Sequence, residues 1–381
     1  MSVSPPVYLD HNATTPVAPE VLEAMLPYLR ETYGNPSSSH SYGRAAHDGI
    51  DRARRYVAAL LGAQSEEVVF TGCATEASNI AIFGVMRALG SSKRHLVTSA
   101  IEHPAVLQPC LRLRDDGWDV TILPVDQTGR IDPETVARAI RADTALVSIM
   151  QANNEIGTVQ PIAEIARIAH ARGALMHTDA AQSAGKISVD VGALGVDLLS
   201  IAGHKFYAPK GVGALYIRTS TPIAPVIVGA DHERGVRPGT ENVPAIVGLG
   251  EAAKIARERL SASATHLLQM RDLLHHRLVE AIPGLILNGH PGHRLPNTLN
   301  VSFPGVTGRS LLEAAEADVA ASLGSACHSE SDAVSGVLAA LGATIERALG
   351  AVRLSVGTPT TARDVARAAK ALITAYAKIH R

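Results

Sequence analysis

The chain has 381 residues, 46% of them apolar and 19% charged, a balance that suits a folded globular protein with one large domain and a smaller one. Its formal net charge is −1, with no long run of one sign, which speaks against direct binding to nucleic acid or to an anionic membrane. Aromatic residues make up only 3%, so small and aliphatic side chains are expected to fill the core.

The amino-terminal stretch MSVSPPVYLDHNATTP has no basic segment followed by an apolar one, so no signal peptide is expected, and no apolar run reaches membrane-spanning length. Residues 42–62 place Ile50, Ala53, Val57 and Leu60 on one face and stop at Gly62, which predicts a helix packed on the main domain. From about 65 to 217, the apolar runs 67–71, 95–99, 145–150, 174–179, 197–202 and 212–218 read as strands. They are nearly continuous in apolar residues, as strands buried on both faces are. Helical patterns separate several of them, for example 161–173, with Pro at its start and Gly at its end. This alternation predicts a mostly parallel sheet with right-handed crossovers. A long helical region at about 244–281 leads into a second unit, with strands at 297–303 and 351–356 and helices near 309–317, 332–341 and 361–379.

The three cysteines, Cys73, Cys110 and Cys327, are too few and too scattered for a disulfide framework or a zinc site, and point to a reducing cytoplasm. The sixteen histidines show no metal-ligand spacing, so no metal is expected. GLGEAA at 248–253 loosely resembles a dinucleotide loop, but no apolar strand precedes it and it lies within a helical pattern.

Open α/β folds bind ligands at the carboxyl ends of their strands. The strand 67–71 runs into Gly72, Cys73, Ala74, Thr75 and Glu76 at a helix start, where small residues and a hydroxyl make a phosphate cradle. The strand ending at 179 presents Asp179, which is either a helix cap or a charge aimed into a site. The next strand ends in Ala202, Gly203, His204 and Lys205, and a lysine there is awkward to bury unless paired or used covalently. A phosphate cradle, a carboxylate and an amine, in that order, match the needs of pyridoxal 5'-phosphate. Cys327 lies among Gly324, Ser325, Ala326, His328 and Ser329, a small and polar run that suits a reactive thiol better than a packed one.

Ten segments together resemble the cysteine desulfurase family, in its NifS/IscS branch. They are YLDHNATTP (8–16), YGNPSSSHSYGR (33–44), FTGCATEASN (70–79), EHPAV (102–106), ANNEIGTVQPI (152–162), HTDAAQSAGK (177–186), GHKFYAPKGVGALYIR (203–218), ERGVRPGTENV (233–243), SLGSACHS (322–329) and VRLSVGTPTT (352–361). The resemblance implies a pyridoxal-phosphate-dependent fold of type I, with a large domain over 15–260 holding a seven-stranded type of sheet. Residues 1–14 and 261–381 would then form a smaller α+β domain. It implies that Lys205 bonds the cofactor's aldehyde and moves the substrate's Cα proton, with Lys210 as a mere turn residue. Asp179 is implied to pair with the ring nitrogen, His103 to stack on the ring and help deprotonate the substrate thiol, and Asn154 and Gln182 to bond the ring oxygen. Thr75 and His204 are implied to hold the phosphate beside Cys73 and Ala74, with Thr240 arriving from the partner of a homodimer. Arg353, helped by Asn35 and Asn154, would clamp the carboxylate of L-cysteine. Cys327 would take the sulfur as a persulfide, leaving alanine, and pass it to an acceptor protein.

Ala202, Cys73, Ala74, Glu330, Val334 and Thr358 depart from the common pattern of the family. The acceptor route stays open among iron–sulfur cluster assembly, tRNA thiolation and, on the divergent cysteine loop, the DndA-type route to sulfur-modified DNA. The rival readings are a selenocysteine lyase or aminotransferase of the same fold, and a non-catalytic scaffold.

Overall fold

The computed structural model describes residues 5–324 and 335–380. Their strands, in chain order, are β1 (Val7–Tyr8), β2 (Val68–Thr71), β3 (His95–Ser99), β4 (Asp119–Leu123), β5 (Thr144–Ser148), β6 (Leu175–Asp179), β7 (Leu198–Ala202), β8 (Gly213–Ile217), β9 (Ile286–Asn288), β10 (Thr298–Ser302), β11 (Val319–Ala320) and β12 (Ala351–Ser355).

Seven of them form one sheet in the order β2-β8-β7-β6-β5-β3-β4. All run parallel except β8, which is antiparallel to both its neighbours. The run 212–218 is thus the antiparallel strand of the expected mostly parallel sheet. Only a single short turn of helix, Gly203–Lys205, lies between β7 and β8, too little for a crossover, so the chain doubles straight back. All residues of β3, β5 and β7 are buried, small polar residues such as Thr98, Ser148 and Ser200 included, which is why they read as nearly continuous apolar runs. On one face Val69, Leu96, Leu146, Leu198 and Leu215 pack with residues of the helices Ala74–Leu89 and Pro104–Asp115. On the other, Val68, Val97, Val147, Leu199 and Ile201 pack with the helices Ser41–Leu61 and Ile162–Ala171 and the start of Val243–Ala281.

The second unit is a three-stranded antiparallel sheet, β12-β10-β9, beside the parallel pair β1-β11. The helices Gly308–Ala315 and Ala362–Ile379 cover it through Leu311, Val365, Ala369 and Leu372. The helix Val243–Ala281 serves both units. Its residues up to Ala253 belong to the apolar cluster of the large sheet, and those from Leu267 onward to that of the small one. Of the helical pattern at 332–341, the described part is Gly336–Ala340.

Candidate active site at the carboxyl ends of the sheet strands

The carboxyl ends of β2, β3, β5, β6 and β7 open onto one cavity of about 270 Å³, closed on its far side by Arg353 from β12 and by Asn12 and Ala13 from the amino-terminal segment. Each side chain there is aimed by its strand end. Beyond β2, Cys73 caps the helix Ala74–Leu89, its Sγ accepting from the Glu76 N–H at 3.5 Å. The first turn of that helix presents backbone N–H groups and the Thr75 hydroxyl to the cavity, the positive end of a 16-residue helix dipole. Beyond β3, His103 caps the helix Pro104–Asp115, its Nδ1 accepting from the Ala105 N–H at 3.1 Å, so the neutral ring carries its proton on Nε2. Burial lowers the pKa of His103, with Asp179 opposing and Lys205 assisting the shift.

Asp179 ends β6, with Oδ1 accepting from the Ala181 N–H at 2.8 Å. Burial pushes its pKa up, against the pull of that hydrogen bond and of His103 and Lys205. Lys205 stands just past β7, its Nζ donating to the carbonyls of Asn12 at 2.5 Å and Ala13 at 2.8 Å. Two residues on, Tyr207 has φ 71°, a left-handed conformation costly for a tyrosine. Three hydrogen bonds hold it there: its N–H to Thr15 Oγ1, its carbonyl from the Ala18 N–H, and its hydroxyl oxygen from the Thr358 N–H. His204, whose Nδ1 lies 3.2 Å from Thr14 Oγ1, is kept neutral by burial and by Lys205, Lys210 and Lys186, its pKa brought down to about 4.

Arg353 is buried, NH2 donating to Asp10 Oδ1 at 2.8 Å and NH1 to the Asn154 carbonyl at 3.0 Å, while its Nε has no partner among the described residues. Asn154 sits in a turn that closes at Gly157, φ 75°, where a Cβ would stand 2.8 Å from the Thr298 Cβ. Gln182 is buried and faces the cavity, with Nε2 donating to the Asn12 carbonyl at 3.0 Å.

Thus Lys205, Asp179, His103, Gln182, Thr75, His204, Asn154, Cys73, Ala74 and Arg353 line one cavity. Ala202 also lines it, with no hydroxyl to offer. Asn35 and Thr240 lie elsewhere, together in a surface groove of about 380 Å³. Cys327, Glu330 and Val334 lie outside the described residues. Lys210 is exposed in a turn, and Cys110 is buried in the helix Pro104–Asp115, its thiol pushed up to about 12 by burial. Among the described residues no group of His, Cys, Asp and Glu could hold a metal ion, and no helix is long and apolar enough to cross a membrane.

The sequence reading missed three contributors. Asn12 is fully buried and binds through backbone and side chain to Ser355, Thr298, Asn297 and Asn154. Glu102 lines the cavity and accepts from Ser99 Oγ at 2.5 Å and the Met150 N–H at 3.0 Å, with burial pushing it up to about 8. Lys186 is buried beneath Gln182. All three stand inside quoted motifs, and only Lys186, between Gly185 and Ile187, is a charge flanked by small and apolar residues that could have drawn notice.

The donor set fits pyridoxal phosphate on its chemistry: a helix amino terminus with a hydroxyl for a dianion, a half-buried amine for an aldehyde, a buried carboxylate for a ring nitrogen, and an arginine whose Nε has no partner among the described residues for a substrate carboxylate.

Comparison with known proteins decides the family. The description "Aminotransferase class-V" matches residues 7–368.

The chain belongs to the class-V aminotransferase family.

Within that pyridoxal-phosphate-dependent family it falls among the cysteine desulfurases. It is similar to the cysteine desulfurase IscS of Dictyoglomus turgidum, 47% identical over 94% of this chain and 91% of that one. Among solved structures it resembles a NifS-like protein with TM-score 0.93 and 39% identity, over 98% of this chain and 100% of the other. It also resembles SspA in complex with cysteine, with TM-score 0.83 and 37% identity, over 93% of this chain and 99% of that one. A class-V desulfurase is an α/β enzyme with a mostly parallel sheet, as found here.

Proposed function

We propose that this class-V enzyme removes sulfur from L-cysteine, releasing L-alanine and holding the sulfur as a persulfide on Cys327. The observation that carries the reading is the convergence of Lys205, Asp179, His103 and Arg353 on a single cavity from four separate chain segments. An aminotransferase or a scaffold would have no need of Cys327 as well.

Bound pyridoxal phosphate supplies an aldehyde for amines and a ring that draws electrons from the substrate's Cα. The residues of this chain do the rest. Thr75, His204 and the helix start beyond Cys73 hold the phosphate end. Asp179, ionised against a protonated ring nitrogen, keeps that proton in place; burial alone would neutralise the carboxyl, so the pair forms together. Gln182 turns an amide N–H toward the ring oxygen. Arg353, braced by Asp10 and the Asn154 carbonyl, orients the substrate carboxylate. Lys205, which would hold the cofactor's aldehyde, takes the Cα proton on Nζ. His103 takes the proton of the substrate thiol on Nδ1, giving up the bond from the Ala105 N–H as it does so. The Cys327 thiolate then attacks the substrate sulfur: an S–S bond forms, the C–S bond breaks, Cβ keeps the electron pair and takes a proton, and Lys205 returns a proton to Cα, giving alanine.

The working unit in this proposal is a homodimer in which Thr240, and Asn35 from the same groove, serve the partner's cavity. Exposed Tyr33 and Tyr42, 71% and 53% accessible on one chain, suit a covered face near that groove. Cys73 and Cys110 are both free, which suits a reducing cytoplasm. For the acceptor we favour an iron–sulfur cluster scaffold protein. tRNA thiolation and DNA phosphorothioation are the alternatives, the last resting on Glu330 and Val334 in the cysteine loop.

The test is release of alanine and sulfide from L-cysteine under excess reductant. Equal amounts from the wild type, and neither from Cys327→Ala, are the expected result. A wild type that binds the cofactor yet yields no sulfide overturns the reading.

A further inference from the structure

Beneath the cavity lies a second lysine, this one buried. Lys186 is 5% exposed and donates from Nζ to two atoms of one residue, the Gln182 carbonyl at 3.0 Å and the Gln182 Oε1 at 3.1 Å. It does not line the cavity, so it meets neither substrate nor cofactor. The groups acting on it are all cationic or basic. Lys205 and Arg353 repel it across the site, His11 lies close enough to feel its charge, and burial brings its pKa down to about 7. Among the described residues no carboxylate pairs with it, and a buried amine so placed is costly to charge.

The geometry points to that use. The side-chain amide of Gln182 lies between Lys186 Nζ, a donor, and the Asn12 carbonyl, which can only accept, 3.0 Å from Nε2. Together they allow one orientation: Oε1 down onto Lys186 and Nε2 up toward the cavity side. One N–H of Nε2 is spent on Asn12, which leaves the other to serve the site. The same Asn12 oxygen accepts from Lys205 Nζ, so Lys186, Gln182, Asn12 and Lys205 form one hydrogen-bonded chain beneath the cavity. We propose that Lys186 is a positioning residue, which locks the Gln182 amide with an N–H facing the cofactor's ring oxygen. This rests on the reading of the site given above and adds to it a residue outside the cavity.

The test is a spectroscopic pH titration of the holoenzyme, following the visible band of the cofactor bound through Lys205, for wild type, Lys186→Met, Gln182→Ala and the double variant. An oxygen that loses a donor holds its proton more tightly. Lys186→Met should therefore move the titration to higher pH by about one unit, the size of one lost hydrogen bond. Gln182→Ala should move it at least as far, and Lys186→Met should add nothing in the Gln182→Ala background. A shift of equal size in both backgrounds, or none in the single variant, overturns the inference. Should Lys186→Met fail to fold, Lys186→Gln, which keeps a donor toward Oε1, should shift the band less than Gln182→Ala; an equal shift overturns the inference. A wild type lacking any band that depends on Lys205 instead overturns the underlying reading of the site.

Discussion

The Arg353 guanidinium and the Asp10 carboxylate meet at 2.8 Å although 343 residues separate them in the chain. The contact ties β12 of the small unit to the segment that also carries Asn12, and it fixes the plane in which the arginine fork can receive a carboxylate. Bound to Asp10 through NH2 and to the Asn154 carbonyl through NH1, the side chain cannot swing.

Asp10→Asn keeps the shape and removes the charge, so it should act on substrate binding before chemistry. We expect the KM for L-cysteine to rise about tenfold, the scale of a hydrogen bond to a charged group, with a smaller change in kcat. Steady-state alanine release at varied cysteine measures both. A fall in kcat at unchanged KM would place Asp10 in some other role.

Glu102 gives a prediction in pH. Its carboxyl is buried and pushed up to about 8 from an ordinary value of 4.5, so between those values the folded chain holds a proton that the unfolded chain has lost. Stability therefore falls as pH rises through that window and levels off above it. Glu102→Gln, which cannot ionise, should remove this slope. Its melting temperature relative to wild type should be higher at pH 9 than at pH 5, and equal offsets at the two values would contradict the assignment.

How much of this was legible beforehand follows the physics of each element. β5 and β7 were readable because burial on both faces leaves nearly continuous apolar runs, and β6 because its apolar start runs into the buried His177, Thr178 and Asp179. β4 was not: unlike the other edge strand, β2, which is fully buried, it leaves Asp119 and Ile122 exposed. The helix Pro19–Arg30 buries only Val21 and gives a weak pattern. In the site, Asp179 and Lys205 stood out as charges at the ends of apolar strands, and the family resemblance supplied their roles. Asn12 could not be read that way, because its partners at Asn297 and Ser355 come together only in three dimensions.

Asn12 makes a sharp test of how the floor is held. Asn12→Ala deletes the bonds from Nδ2 to Thr298 Oγ1 and the Asn154 carbonyl and the bond to Oδ1 from Asn297, all buried or nearly so. At about 1 kcal/mol for each bond the loss should be about 3 kcal/mol. The Asn12 carbonyl, which receives both Lys205 and Gln182, would lose its fixed position with it. Urea unfolding should report the first effect and cofactor loss on dialysis the second. An intact affinity for cofactor would mean that the backbone alone sets the carbonyl.

The last prediction concerns the loop that carries Thr240. Glu233 is buried with φ 47°, followed by Arg234 at φ 58°, two left-handed residues in succession. What holds them is the Glu233 carboxylate, which receives Arg54 through two bonds at 2.7 and 2.8 Å and the Phe70 N–H at 2.8 Å. It thus also satisfies the open edge of β2. Glu233→Gln leaves the half-buried Arg54 against a neutral partner with one acceptor fewer, and breaking such a pair costs up to about 3 kcal/mol. The melting temperature should fall accordingly. If the strained turn serves to present Thr240 across a dimer, cofactor affinity should fall several-fold as well, and Thr240→Ala should then add little to Glu233→Gln. Full additivity of the two changes in cofactor binding would show that the Glu233 anchor stabilises the sheet edge without placing Thr240.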